Sequence, residues 1–246
     1  MRIERDLYLI GSGTMGFDLT DPYDCNIFLF ETGAGCVVFD AGAGLGVGRV
    51  LAVCREDGLD PERIDHLFLT HAHADHGGGT APLRDRIDVE VYASVATAKI
   101  VESGDETAVS LDVAKAGGVY PEDYEYRASA VEHVLEDLDT ITIGNYSIQI
   151  VHTPGHSHDH CSYLVRGNDR RYLVGGDAIF FGGRVVLQKT YDCNVPQTIE
   201  SIERLGDCDF DALLPGHLNF SLNNGKRHVD KARAITDRFG CPPSIT

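Results

Sequence analysis

The short apolar run His66-Leu67-Phe68-Leu69-Thr70 ends directly in His71-Ala72-His73-Ala74-Asp75-His76, and three glycines follow. A run of this length between polar turns reads as a buried strand that delivers the histidine segment at its end. Function tends to be carried on loops held by such a rigid scaffold. Imidazole nitrogen and carboxylate oxygen are the ligands that zinc and iron accept. Along an extended segment His71 and His73, two positions apart, point to one face and can grip one metal. Asp75 and His76 are adjacent, so the chain must turn there and aim a second pair of ligands elsewhere. The spacing predicts two ions, roughly three to four ångströms apart on the usual two-metal scale. The glycines at 77 to 79 are expected to let the next helix start close to the metals.

Three downstream residues share one syntax of strand, glycine turn and ligand type. His156 lies in Thr-Pro-Gly-His, Asp177 in Gly-Gly-Asp and His217 in Leu-Pro-Gly-His. One histidine in such a loop would be ordinary surface. Three, in order, make a ligand set with the first segment, and the alternative of a merely solvated polar loop recedes.

The rest of the chain supplies the frame. Residues 7–10, 26–30, 36–40, 89–92, 141–143, 147–152, 162–166, 171–175 and 212–214 read as strands, rich in β-branched and aromatic side chains. Helical spacing is found over 47–57, 95–102, 196–205 and 228–239. Strands and helices occur in both halves, which suits two packed sheets with helices outside, in one domain over 1–246. Residues 103–139 break the rhythm. This acidic, partly helical insertion is expected to cap the site or make a homodimer contact. Within it Tyr120, Tyr124 and Tyr126 are candidate walls of a substrate pocket, against the alternative of plain packing. Lys189 and Tyr191 are candidates to meet an anionic substrate, against plain exposure.

Composition removes several classes. The hydrophobic content of 43% and charged content of 24% are those of a soluble globular protein. No apolar run approaches a membrane span, and the start lacks the pattern of a signal peptide, so a cytoplasmic protein with no membrane partner is expected. A net charge of −17 repels a phosphate backbone and excludes nucleic acid as a partner, leaving a small-molecule substrate. The seven cysteines form no Cys-x-x-Cys pair and read as reduced, mostly buried thiols. Cys161, close to a candidate ligand, is expected to be a core thiol.

The His71-x-His73-x-Asp75-His76 segment with His156, Asp177 and His217 resembles the metallo-β-lactamase superfamily, over nearly the whole span from Leu7 to His217. The resemblance implies a four-layer αββα sandwich with the site at one edge. It implies that His71, His73 and His156 hold one divalent ion, that Asp75, His76 and His217 hold the other, and that Asp177 bridges them. Zinc is the expected metal, with iron or manganese as alternatives. Asp40, in Val-Val-Phe-Asp-Ala-Gly, matches a position that braces the metal loop in this family, although capping the following turn would also explain it. The implied chemistry is hydrolysis by a hydroxide held between the metals, with Asp75 orienting it and moving a proton to the leaving group.

Departures narrow the choice within the family. True β-lactamases lack the aspartate at the position of Asp177. Glyoxalase II-type thioesterases carry a long helical domain after the last histidine, where 29 residues follow here. Acyl-homoserine lactonases place a tyrosine where this chain has Phe180. The expectation is a dinuclear hydrolase of an ester, thioester or lactone, with a mononuclear iron persulfide dioxygenase-like oxidoreductase as the alternative. His158 and His160 are expected to be supporting or surface residues.

Overall fold

Alternation along the N-terminal strands sets the architecture. In the computed structural model, which describes residues 1–167 and 170–246, the strands β1 (Leu7–Gly11), β2 (Ile27–Glu31) and β3 (Cys36–Phe39) form an antiparallel meander. Ile27 and Leu29 point into one core, while Phe28 and Phe30 point into another. Cys36 and Val38 divide from Val37 and Phe39 in the same way. Strands apolar on both faces must be covered on both faces.

Three parallel strands continue this sheet: β4 (Ile64–Phe68), β5 (Glu90–Ser94) and β6 (His133–Leu135), in the order β1-β2-β3-β4-β5-β6. The second sheet has the order β11-β10-β9-β8-β7, from β7 (Thr140–Ile143), β8 (Tyr146–His152), β9 (Cys161–Gly167), β10 (Arg170–Gly176) and β11 (Ala212–Pro215). Only its β10–β11 pair is parallel. Between the sheets lies an aromatic core that includes Phe30, Phe39, Phe68, Tyr163 and Tyr172.

The helices close the outer faces. Val50, Leu51 and Cys54 of α1 (Val47–Glu56) pack on the first sheet, spaced on one helical face. The short α2 (Ala74–Gly77) and α3 (Thr80–Arg84) come next in the chain. The helix α4 (Val95–Ser103) starts at Ser94, whose side chain accepts from the Thr97 N–H, and stops at left-handed Gly104. The insertion contributes α5 (Leu111–Ala116). On the second sheet lie α6 (Val195–Gly206), capped by Asn194, and α7 (Lys226–Thr236), which bury Ile202, Leu205 and Val229. The result is the four-layer αββα sandwich of the metallo-β-lactamase fold. Among the described residues no helix is long and apolar enough to cross a membrane.

The chain departs from its sequence pattern at one strand. β6, inside the stretch read as irregular, pairs with β5 through Tyr92 and His133. Three residues carry no periodicity, and the open edge of β5 decides that they extend. All seven cysteines are free thiols, four of them buried. Cys161 is a core thiol as expected: its Sγ donates to the Thr70 carbonyl at 3.2 Å, and burial raises its pKa.

Candidate metal centre

Every candidate ligand lies just beyond the C-terminal end of a strand, where the two sheets meet. The segment after β4 is tied to the second sheet. Tyr163 donates to the Leu69 carbonyl at 2.8 Å and the Cys161 N–H to the Thr70 carbonyl at 2.8 Å. The loop after β11 is tied to two others: the Gly216 N–H donates to Gly176 at 2.7 Å, and the Asn26 N–H to Gly216 at 2.6 Å. These bonds bring the His71, Asp177 and His217 loops to one place. A side chain at Gly216 would collide with the Asp177 carboxylate and the His76 ring, so the glycine of Leu-Pro-Gly-His makes room for the cluster.

All seven predicted residues converge. Ligand atoms of His71, His73 and His156 lie within 4.8 Å of one another, as do those of Asp75, His76 and His217. His73 Nδ1 and His156 Nε2 are 2.8 Å apart. His217 Nε2 is 3.0 Å from Asp75 Oδ2. Asp177 stands between the groups: Oδ2 is 3.5 Å from His156 and 3.6 Å from His217, and Oδ1 is 3.4 Å from His76 Nε2. Asp75 is the most open of the set, its side chain 24% exposed.

Outer partners fix which nitrogen of the His76, His73 and His71 rings faces inward. Asp40 Oδ2 accepts from His76 Nδ1 at 2.8 Å, leaving the lone pair of Nε2 for the site. Asp192 Oδ2 accepts from His73 Nε2 at 2.7 Å, leaving Nδ1 for the site. Thr70 donates its hydroxyl to Asp40 and thereby accepts from His71 Nδ1 at 3.0 Å, which frees His71 Nε2. Asp40 also accepts from the Thr70 N–H, so bracing the ligand loop is its role. Behind Asp177, His160 Nε2 accepts the Asp177 N–H at 2.9 Å while Nδ1 donates to Thr153. Burial lowers the His160 pKa to about 4, so it is neutral and able to accept.

This donor set fits divalent cations. His71 Nε2, His76 Nε2 and Asp177 Oδ1 are buried without any hydrogen-bond partner. Orphaned buried acceptors are costly, and a cation in their midst satisfies them. Burial and neighbouring histidines push His71 and His156 well below the ordinary imidazole range. Burial also opposes protonation of His73, His76 and His217, yet neighbouring acidic groups outweigh it and raise their pKa, a setting in which a cation can take the place of the proton. Burial opposes ionisation of Asp75, yet His76 and His217 outweigh it and bring its pKa to about 2.

Two outer partners escaped sequence reasoning. Asp192, in Tyr-Asp-Cys-Asn, lies 119 positions from His73, and no spacing rule links them. Asp159, beside His156 in sequence, accepts from the Ala72 N–H at 2.8 Å and from Thr97, locking the ligand loop to α4. Its adjacency to a ligand was the only signal.

A cavity of about 750 Å³ opens on the centre and is lined by His73, Asp75, His156, Asp177 and His217, with residues 109–120 of the insertion forming part of its wall. Tyr120 lines it and stacks on Tyr23 at 5.0 Å. Tyr124 and Tyr126 do not line it. They pack where a Cβ at Gly78 or Gly77 would stand, and Tyr124 donates to the Ala43 carbonyl at 2.9 Å. The glycines thus make room for these tyrosines, and for Ala41 against Gly79. Lys189 and Tyr191 do not line the cavity either. Alternation along their segment turns Gln188 and Thr190 inward, Lys189 is exposed, and the Tyr191 hydroxyl donates to Thr107. Phe180 is fully buried, its ring 6.4 Å from that of His217.

An αββα sandwich with a histidine and aspartate cluster at its edge defines a class of metal-binding proteins. The sequence matches the metallo-beta-lactamase superfamily over residues 20–217, and the chain belongs to that family. It is 29% identical over 163 residues to a probable metallo-hydrolase, YqgX, of Bacillus subtilis, covering 66% of this chain and 69% of that protein. It is 26% identical over 192 residues to a hydroxyacylglutathione hydrolase of Xanthomonas euvesicatoria, covering 77% of this chain but only 60% of the relative. Among solved structures it is similar to a subclass B3 metallo-beta-lactamase of Bradyrhizobium japonicum, with TM-score 0.74 at 19% identity, covering 97% of this chain and 91% of that one. That likeness concerns the fold.

Proposed function

We propose that this chain is a dinuclear metal-dependent hydrolase acting on an ester-type bond: an ester, a thioester or a lactone. The carrying observation is the pair of buried triads that share Asp177 and face one cavity. His71, His73 and His156 would hold one ion, Asp75, His76 and His217 the other, and Asp177 both. When bound, two such ions polarise a carbonyl and make water nucleophilic near neutral pH. The relatives' names, a metallo-hydrolase and a hydroxyacylglutathione hydrolase, support the reaction class.

The side chains divide the remaining work. Asp75, ionised and open to the cavity, accepts a hydrogen bond from the attacking water and so orients it. A carboxyl with a pKa near 2 is a weak base, so orientation is its main contribution and proton transfer to the leaving group the lesser one. His160, Asp40 and Asp192 hold the ligands in place. The cation satisfies the cluster's negative charge, and zinc is the favoured metal for this nitrogen and oxygen set.

Elemental analysis of protein purified without added metal tests the reading. Two zinc equivalents per chain, with ester turnover lost in Asp75→Ala, are the expected result. A single iron with oxygen uptake on a persulfide overturns it in favour of the oxidoreductase reading.

A further inference from the structure

Beyond the metal centre the cavity is largely apolar. Asp75 and Asp177 belong to the centre itself, Asp24 is the other carboxylate side chain of the lining, and among the lining residues there is no lysine or arginine. Its wall is built from Val109, Leu111, Val113, Val119, Val186 and Ile245. The cation of α5, Lys115, is bound to Glu106 at 2.6 Å. Lys189 is exposed and lies outside the lining. The chain around it has a net charge of −17. Recognition of an anionic group on the part of a substrate that lies beyond the metals needs a cation or a fan of donors there. This wall offers apolar contact instead.

Resting on the hydrolase reading above, we infer that the substrate is neutral and carries an apolar acyl chain of medium length, unlike an acyl-glutathione or another anionic thioester. Water adds across the acyl–heteroatom bond, which breaks to give a carboxylic acid and a protonated leaving group. The volume of about 750 Å³ lies within the range of sites that enclose a whole small molecule. Each methylene buried against this wall raises affinity up to roughly fourfold.

The test keeps the acyl chain constant and changes only the charge. Octanoyl thioesters of N-acetylcysteamine, which is neutral, and of glutathione and coenzyme A, which are anionic, are compared as substrates of the purified metal-bound protein. Non-hydrolysable S-octyl thioethers of N-acetylcysteamine and glutathione are compared for binding by calorimetry. The neutral compound is expected to lead by about tenfold or more in kcat/KM and in affinity at low salt. Lengthening the neutral acyl group from acetyl to octanoyl is expected to raise kcat/KM by about tenfold or more. Equal or better handling of the anionic compounds overturns the inference, as does a flat chain-length series. Val113, 49% exposed on the wall, tolerates a long side chain. Val113→Lys is expected to raise the anionic-to-neutral affinity ratio about fivefold, and an unchanged ratio counts against the inference. If neither these thioesters nor the corresponding octanoyl esters and lactones are hydrolysed, the hydrolase reading fails while the thioether affinities still decide this one.

Discussion

The floor of the centre and the wall of its cavity are built on opposite principles. On the floor four of the seven candidate ligands have a second partner: Asp40 behind His76, Asp192 behind His73, Thr70 behind His71 and His160 behind Asp177. All of these are buried. The wall contributed by residues 109–120 makes few side-chain hydrogen bonds, those of Ser110 and Lys115, and Val113 and Val119 are about half exposed. One link joins the two regions, since Ser110 donates to Asp192 Oδ1 at 2.9 Å. The chemistry is thus overdetermined by buried polar bonds, while selectivity rests on apolar contacts that can change without disturbing it.

The contrast is broken most severely at Asp177, the residue shared by both triads. Asp177→Ala is expected to lower metal content below two equivalents and to reduce ester turnover on the order of 10³-fold, read by elemental analysis and kinetics. Next is Asp40, a buried carboxylate with three bonded groups and a left-handed φ of 62°. Asp40→Ala is expected to destabilise the fold by about 3 to 5 kcal/mol in a denaturant titration. Asp40→Asn, which tolerates the backbone conformation, should recover part of that loss.

Asp192→Asn sharpens the comparison, because it weakens one orienting bond without removing a ligand. Roughly a 10- to 100-fold loss in affinity for one metal is expected, measured by competition with a chelator. Ser110→Ala should show a smaller loss in the same direction; an effect as large as that of Asp192→Asn would make the wall part of the floor. Metal retention should also fall as pH drops below about 6, because each histidine must be neutral to bind.

The smallest expected effect lies outside both regions, at the Asp137–Arg204 pair. Burial raises the Asp137 pKa, but the His152 N–H and the Arg204 guanidinium outweigh it and leave the group below its ordinary value. A depressed folded pKa means that its stabilisation is complete above about pH 4 and fades as pH falls through the folded value. Exposure of about a third of each side chain and salt screening keep the pair small, so Arg204→Ala should cost about 0.2 to 1 kcal/mol at pH 7 and nothing further at pH 2.

Much of the molecule was legible because two periodicities were clean. The alternation at Ile27 to Phe30 places side chains into two cores, and that is what makes the strand and its two-sided covering readable. The ligands were legible because each sits behind an apolar run and a glycine. β6 was not, since three residues have no period of their own and extend only because β5 has a free edge. Asp192 was not, since its role is a contact with His73 across most of the chain. Lys189 misled because a lone cation near a site says nothing about which way it points.

The sequence by itself determined the layers, the strand ends and the set of seven ligand types, because these follow from local pattern and residue chemistry. Only the tertiary structure decided which nitrogen of each histidine faces the centre, which of three tyrosines meets the cavity, and that no lysine or arginine lines it. Those properties depend on groups distant in sequence meeting at a few ångströms, and no local rule encodes such meetings.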